Sequence, residues 1–369
     1  MKMSTPPRRP AALTALVVAV VGLALALAAC GGETSADGGV PGGSGSAATV
    51  VGAGASFPYP LYSAWGQEYN GVSGVKLNYQ SIGSSGGIAA IQAKTVDFGA
   101  SDAPLAEEEL ASAGLLQFPM CVGGVVPVVN LEGIADGQLR LTGALLARLF
   151  MGEITRWNDA ALAAANPGVE LPDAKVNIVH RSDGSGTTWI FTNYLTAVAG
   201  DVWTAGADKE IAWPTGVGGK GNEGVAASVQ QLSGSIGYVE YAYAKQTQMT
   251  SVQLQNKDGE WVRPSLGSFS AAAAEADWES ALPAMDLALV DQPGAATWPI
   301  TGASFILIQK DSVDAAQVKA ALAFFDWAFE NGSATAERLD YVPLPANVYQ
   351  LVESDVWSNA TAAGAVVWE

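Results

Sequence analysis

Within the eight residues Arg181 to Thr188 the chain sets a guanidinium, a carboxylate (Asp183), two glycines and several hydroxyls, Ser185 and Thr187 among them. Together such groups can recognise an oxyanion. Arg181 can grip two oxygens at once with its planar fork. Ser185 and Thr187 can donate hydrogen bonds, and Gly184 and Gly186 let the backbone come close to a ligand. Asn177-Ile178-Val179 ahead of them reads as a short apolar strand, while Ile190, Phe191, Tyr194, Leu195 and Val198 behind them fall at helical spacing. The cluster thus opens a helix, where free N–H groups and the positive end of the helix dipole favour an anion. The same residues also fit a plain turn capped by Ser185, with Arg181 and Asp183 as a surface ion pair.

Two more stretches have this form. Gly52-Ala53-Gly54-Ala55-Ser56-Phe57-Pro58 follows a β-like run and leads into helical spacing from Pro60 to Tyr69, with prolines suited to a first turn. Val75 to Tyr79 alternates like a strand and runs through Gly83-Ser84-Ser85-Gly86-Gly87 into the helical Ile88–Ala93. Ser56 and Ser84 are therefore a second and a third hydroxyl at helix starts. Val96 to Leu105 reads as strand then turn, with Asp102 after small residues and before Pro104. The plain reading of Asp102 is a cap for the helix around Glu107–Leu110.

The elements that must hold these groups alternate between strand and helix, which indicates an α/β fold. Val122–Asn130 reads as a buried strand passing between two lobes, and Ser304–Ile308 as a strand returning to the first. Leu145 to Ala165 reads as two short helices. Gly216–Gly221 reads as a loop before a helix over Gly224–Leu232, Ile236–Tyr243 as a strand, and Val318–Phe329 as an amphipathic helix. Gly216-Val217-Gly218-Gly219-Lys220-Gly221 also fits G-x-G-x-x-G, but mid-chain in an exported protein it is treated as a loop. Gly83 to Gly87 fits G-x-S-x-G, the nucleophile elbow of hydrolases, for which His180 is the one available histidine base.

Residues 1–29 have the form of an export signal: Lys2, Arg8 and Arg9, then an apolar run to Ala29. The run ends in Leu27-Ala28-Ala29-Cys30, which resembles the bacterial lipoprotein box, and that resemblance implies acylation of Cys30. Residues 30–48 are Gly/Ser-rich and read as a flexible tether. Removing Lys2, Arg8 and Arg9 leaves 15 basic against 36 acidic residues, a net charge of −21. Such a surface argues against nucleic acid and against charge-driven binding to anionic lipid. With two cysteines and one histidine there is neither a disulfide framework nor a metal-ligand spacing.

Over Gly52–Tyr62, Tyr79–Leu105, Val179–Tyr194, Gly216–Ala244, Trp298–Lys310 and Phe324–Pro345, the chain closely resembles the phosphate-binding proteins of bacterial phosphate-specific ABC importers. The resemblance implies a two-lobed periplasmic-binding-protein (type II) fold with inorganic phosphate in the interlobe cleft. Lobe one would be residues 49–126 plus 301–369 and lobe two residues 127–300. Carried over residue by residue, the ligands would be Ser56, Phe57 (backbone N–H), Ser84 and Asp102 from the first lobe. The second would supply Arg181, Ser185, Gly186 (backbone N–H) and Thr187, with Asp183 holding Arg181. Ser56 stands where many members carry threonine, which keeps the hydroxyl and loses a methyl. The implied protein is a monomeric receptor, not an enzyme, with no cofactor. It would be anchored through Cys30 to the outer face of the cell membrane, or periplasmic, and would deliver phosphate to membrane permease subunits.

Asp102 then acquires a reason. Phosphate at neutral pH retains a P–OH that can donate to an ionised carboxylate, whereas sulfate retains none. A site that requires a ligand hydrogen rejects the analogue lacking it by roughly 10⁴–10⁵. Two other readings make different demands. A receptor for sulfate or molybdate needs donors only, and an exported esterase or phosphatase would use Ser85 or Ser185 as nucleophile.

Overall fold

The computed structural model describes residues 49–368. The expected signal peptide 1–29, the tether 30–48 and Cys30 lie outside the described residues. Beside two three-stranded sheets, a ten-stranded mixed sheet runs in the order Lys76–Ser81, Thr49–Gly54, Phe98–Ser101, Thr301–Gln309, Leu115–Asn130, Ser235–Glu240, Asn177–Arg181, Val217–Gly219, with Val342–Pro343 and Thr250–Ser251 also pairing on Leu115–Asn130. The first three run parallel to one another, as do the last three, and antiparallel pairing fills the middle. Helices between successive strands supply the crossovers that parallel pairing requires.

The central strand Leu115–Asn130 is buried nearly end to end, because Val122, Val125, Val126, Val128 and Val129 offer apolar groups to both faces. It changes partner halfway. Leu115 to Gly124 pair with Thr301–Gln309, and Val125 to Asn130 pair with Ser235–Glu240. The register with Thr301–Gln309 slips between Ser304 and Phe305. Such an irregularity re-aims a side chain, and Ser304 is the residue turned toward Asp102.

Most elements expected from the sequence are present with adjusted ends. The helices at Ser84–Gln92 and Gly221–Gln231 begin earlier than expected, each at the Gly/Ser or Gly/Asn residues assigned to the preceding turn. Two assignments change. Residues 217–219 of the expected loop pair as a parallel strand with Val179 to Arg181. The strand expected over Ile236–Tyr243 ends at Glu240, whose carboxylate accepts from Ala242 N–H and so caps the helix Tyr241–Gln246. A side chain that captures a free N–H at that point favours helix entry over a longer strand.

Candidate functional site

The carboxyl ends of six strands converge from two opposing sides on the middle of Leu115–Asn130, each followed by or ending on a residue of interest. Thr49–Gly54 leads to Ser56 and Phe57, Lys76–Ser81 to Ser84, and Phe98–Ser101 to Asp102. Asn177–Arg181 ends on Arg181 itself, Val217–Gly219 leads to Asn222, and Ser235–Glu240 ends on Glu240. Crevices beyond the carboxyl ends of parallel strands are where open α/β sheets bind ligands. Four helix N-termini open here as well, at Tyr59, Ser84, Gly186 and Gly221.

Ser56, Ser84 and Asp102 are almost wholly buried. The Phe57 N–H has no hydrogen-bond partner among the described residues, and the Phe57 ring packs edge-on against Tyr341. Asp102 accepts from the Ser304 hydroxyl at 2.8 Å and caps nothing: Glu109 supplies the cap of the helix Glu107–Ala113. Burial raises the Asp102 carboxyl from 3.8 to about 7, against the lowering effects of the Ser304 hydrogen bond and the Arg181 charge. This corrects the expectation of a plainly ionised group. Near neutral pH the site and an incoming anion have a proton to share.

From the other side, Arg181 is buried and donates Nε to Asp183 Oδ1 at 2.8 Å and Nη2 to Oδ2 at 2.6 Å. The pair is no surface ornament, since the two side chains are 1% and 14% exposed. Burial pushes Asp183 up, but the hydrogen bonds and charge of Arg181 outweigh it and hold the carboxyl below its ordinary range. Gly221 N–H adds a further bond to Asp183 at 3.1 Å. Nη1 reaches Thr187 Oγ1 at 3.4 Å. Of five guanidinium hydrogens, two are left, one on each Nη, and these form the end-on face available to an oxyanion.

Ser185 caps the helix Gly186–Ala199 by accepting from Thr188 N–H at 3.1 Å. That leaves its own proton uncommitted. Gly186 N–H donates to Ser84 Oγ at 2.8 Å. A Cβ on Gly186 would lie 2.5 Å from Asp102 Cβ, so only glycine permits this approach. Ser85 N–H donates to Gly184 O at 3.1 Å, and Asn222 joins Ser56 to Thr187. All nine residues expected at the site thus face one another where the two sets of strands meet, with direct bonds tying the turns at Ser56 and Ser84 to those at Arg181–Thr187 and Asn222.

Sequence reasoning missed Asn222, Ser304, Glu240 and Tyr341. Asn222 had a visible signal, a glycine loop ahead of a helix as in the other three turns. Gly221 takes a φ of 69°, the left-handed conformation that starts this helix. Tyr341 Oη lies 2.7 Å from Phe57 O and 2.8 Å from Glu240 Oε2. The one phenolic hydrogen is shared between these two acceptors, and Glu240 Oε2 accepts from Ala242 N–H as well. Burial, the largest effect, holds the Glu240 carboxyl well above its usual range.

The nucleophile-elbow reading finds no base. His180 points Nδ1 at Arg181 O, 2.9 Å away, and stacks on Trp213 at 4.8 Å. Burial lowers its pKa against the raising effect of that backbone bond. No hydrogen bond joins it to Ser85 or Ser185 among the described residues.

A family model described as the PBP superfamily domain matches residues 39–331. The phosphate-binding protein PstS of Xylella fastidiosa (strain 9a5c) is 58% identical over 312 residues, spanning 84% of this chain and 85% of that protein. That of Haemophilus influenzae (strain Rd) is 53% identical over 308 residues, 83% of this chain and 92% of its own. Among solved structures, a high affinity periplasmic phosphate-binding protein (PfluDING) bound with phosphate superposes with a TM-score of 0.70 at 22% identity, covering 86% of this chain and 96% of that one.

Proposed function

The chain belongs to the PBP superfamily and to the PstS family of phosphate-binding proteins, with their type II periplasmic-binding-protein fold, and on that premise we propose that it is an extracytoplasmic receptor for inorganic phosphate. It hands its ligand to the permease of an ABC-type importer and performs no turnover. The observation that carries this reading is the composition of the cleft. The end-on face of Arg181, the hydroxyls of Ser56, Ser84, Ser185 and Thr187, and the N–H groups of Phe57 and Gly186 are donors. Asp102 is the acceptor that a protonated oxyanion needs. In this reading Gly186 N–H, now on Ser84 Oγ, turns to the ligand.

The lobes of this receptor are residues 49–126 plus 301–369 and residues 127–300, meeting where Leu115–Asn130 exchanges partners. No helix among the described residues is long and apolar enough to cross a membrane. Attachment falls to an acylated Cys30 on the outer face of the cell membrane, or in a periplasm, and the receptor acts as a monomer. Isothermal titration of the purified protein with phosphate and then sulfate tests the reading. Tight phosphate binding with sulfate far weaker supports it, and equal affinities would favour a general oxyanion receptor.

A further inference from the structure

Asn222 is fully buried and makes four hydrogen bonds on three sides. Its Oδ1 accepts from Glu240 N–H at 2.9 Å. A backbone N–H can only donate, so the amide has one possible orientation, and Nδ2 faces the other way. Nδ2 donates to Ser56 Oγ at 2.9 Å and to Thr187 Oγ1 at 3.2 Å, and the Asn222 backbone N–H donates to Ser56 Oγ at 3.0 Å.

A hydroxyl carries one proton and two lone pairs. Both lone pairs of Ser56 Oγ are taken by Asn222. Those of Thr187 Oγ1 are taken by Asn222 Nδ2 and by Arg181 Nη1 at 3.4 Å. Each proton must then point elsewhere, and neither hydroxyl can accept from a ligand. Ser84 Oγ differs: of its two donors, Gly186 N–H at 2.8 Å and Asp102 N–H at 3.3 Å, the first turns to the ligand in the receptor reading.

We propose that Asn222 is a positioning residue that fixes the polarity of Ser56 and Thr187, making both obligate donors to the bound anion. Polarity passes from the Glu240 N–H through the amide to two hydroxyls on opposite sides of the cleft. Each bond polarises the next, as hydrogen-bond chains do in a dry interior. The ligand class is narrowed accordingly, since at these two positions only an acceptor oxygen is admitted and a ligand hydroxyl is turned toward Asp102. This rests on the phosphate-receptor reading and adds to it a residue that acts through two others.

The test is a double-mutant cycle on the full mature protein, titrated with inorganic phosphate. Asn222→Ala in the wild-type background weakens binding about tenfold, the scale of lost neutral hydrogen bonds. In the background Ser56→Ala/Thr187→Val the same change costs less than about twofold, because the hydroxyls it orients are gone. A purely structural Asn222 gives equal costs in both backgrounds, and that result overturns the proposal. Should Asn222→Ala unfold, Asn222→Asp takes its place. Its carboxylate keeps the bond from Glu240 N–H but can only accept from the hydroxyls, so it costs about a hundredfold alone and at least about tenfold less in the double background. Equal costs for Asp again overturn it. A wild-type protein that does not bind phosphate sinks the receptor reading and Asn222 with it, whereas binding with equal costs sinks only the role of Asn222.

Discussion

Asp102→Asn removes one ionisable group from a buried site and leaves its shape intact. In the unliganded fold burial raises this carboxyl from 3.8 to about 7. The folded chain therefore holds a proton there that the unfolded chain gives up, and stability falls as pH rises through that window. At 1.36 kcal/mol per pKa unit, the difference between 3.8 and about 7 is worth about 4 kcal/mol, fully lost above the folded value. An asparagine loses nothing over the same range, and its Oδ1 still accepts from Ser304. Urea unfolding of phosphate-free wild type and variant gives the comparison, because every other titrating group cancels in the difference. The variant should match wild type within about 1 kcal/mol at about pH 4 and exceed it by up to about 4 kcal/mol at about pH 8. A pH-independent offset, or a variant that falls behind as pH rises, would refute the argument. Competition titration supplies the functional half. Phosphate loses little in the variant, while sulfate gains because an amide N–H can face a bare oxygen; an unchanged ratio removes Asp102 from anion discrimination.

Arg181→Ala should weaken phosphate binding by about 2–5 kcal/mol, since Asp183 and the ligand are left without their buried cation. Arg181→Lys should also bind less well, having a point charge in place of two forks; titration within twofold of wild type for the alanine variant would take Arg181 out of the site. Gly186→Ala should cost phosphate affinity about 1–3 kcal/mol, because its Cβ would lie 2.5 Å from Asp102 Cβ and force the two turns apart. Unaltered affinity would show that the close approach is not needed. Cys30→Ala should yield an unlipidated chain with phosphate affinity intact, and detergent partitioning equal to wild type would exclude Cys30 as the anchor.

What could be read from the sequence was local. A strand period, a Gly/Ser turn and a helical period fit in a window of some twenty residues, and three of the four turns that meet at the candidate site are legible in that way. The fourth reads as a plain loop once its fit to a nucleotide motif is discounted, although Asn222 stands at its helix start as Ser84 does at another. The remaining partners were hidden by distance along the chain. Ser304 reaches Asp102 across 202 residues, Asn222 reaches Ser56 across 166, and Tyr341 reaches Phe57 across 284. Burial was also invisible locally. Arg181 and Asp183 have the spacing of an ordinary exposed pair, and only packing reveals a guanidinium with 1% of its side chain exposed. The raised Asp102 carboxyl follows from the same burial.

The place of Thr301–Gln309 in the sheet bears on the order in which the molecule is made. This strand, from the last fifth of the chain, lies between Phe98–Ser101 and Leu115–Asn130, which are near neighbours in sequence. Until it arrives, two early strands wait with unpaired edges. The pairing of Val125–Asn130 with Ser235–Glu240 closes a shorter loop and can form first. Such long-range pairing slows folding, and a chain that emerges N-terminus first cannot complete its central sheet before nearly all of it has been synthesised. The contact between Ser304 and Asp102 can form only after this last strand has slotted in.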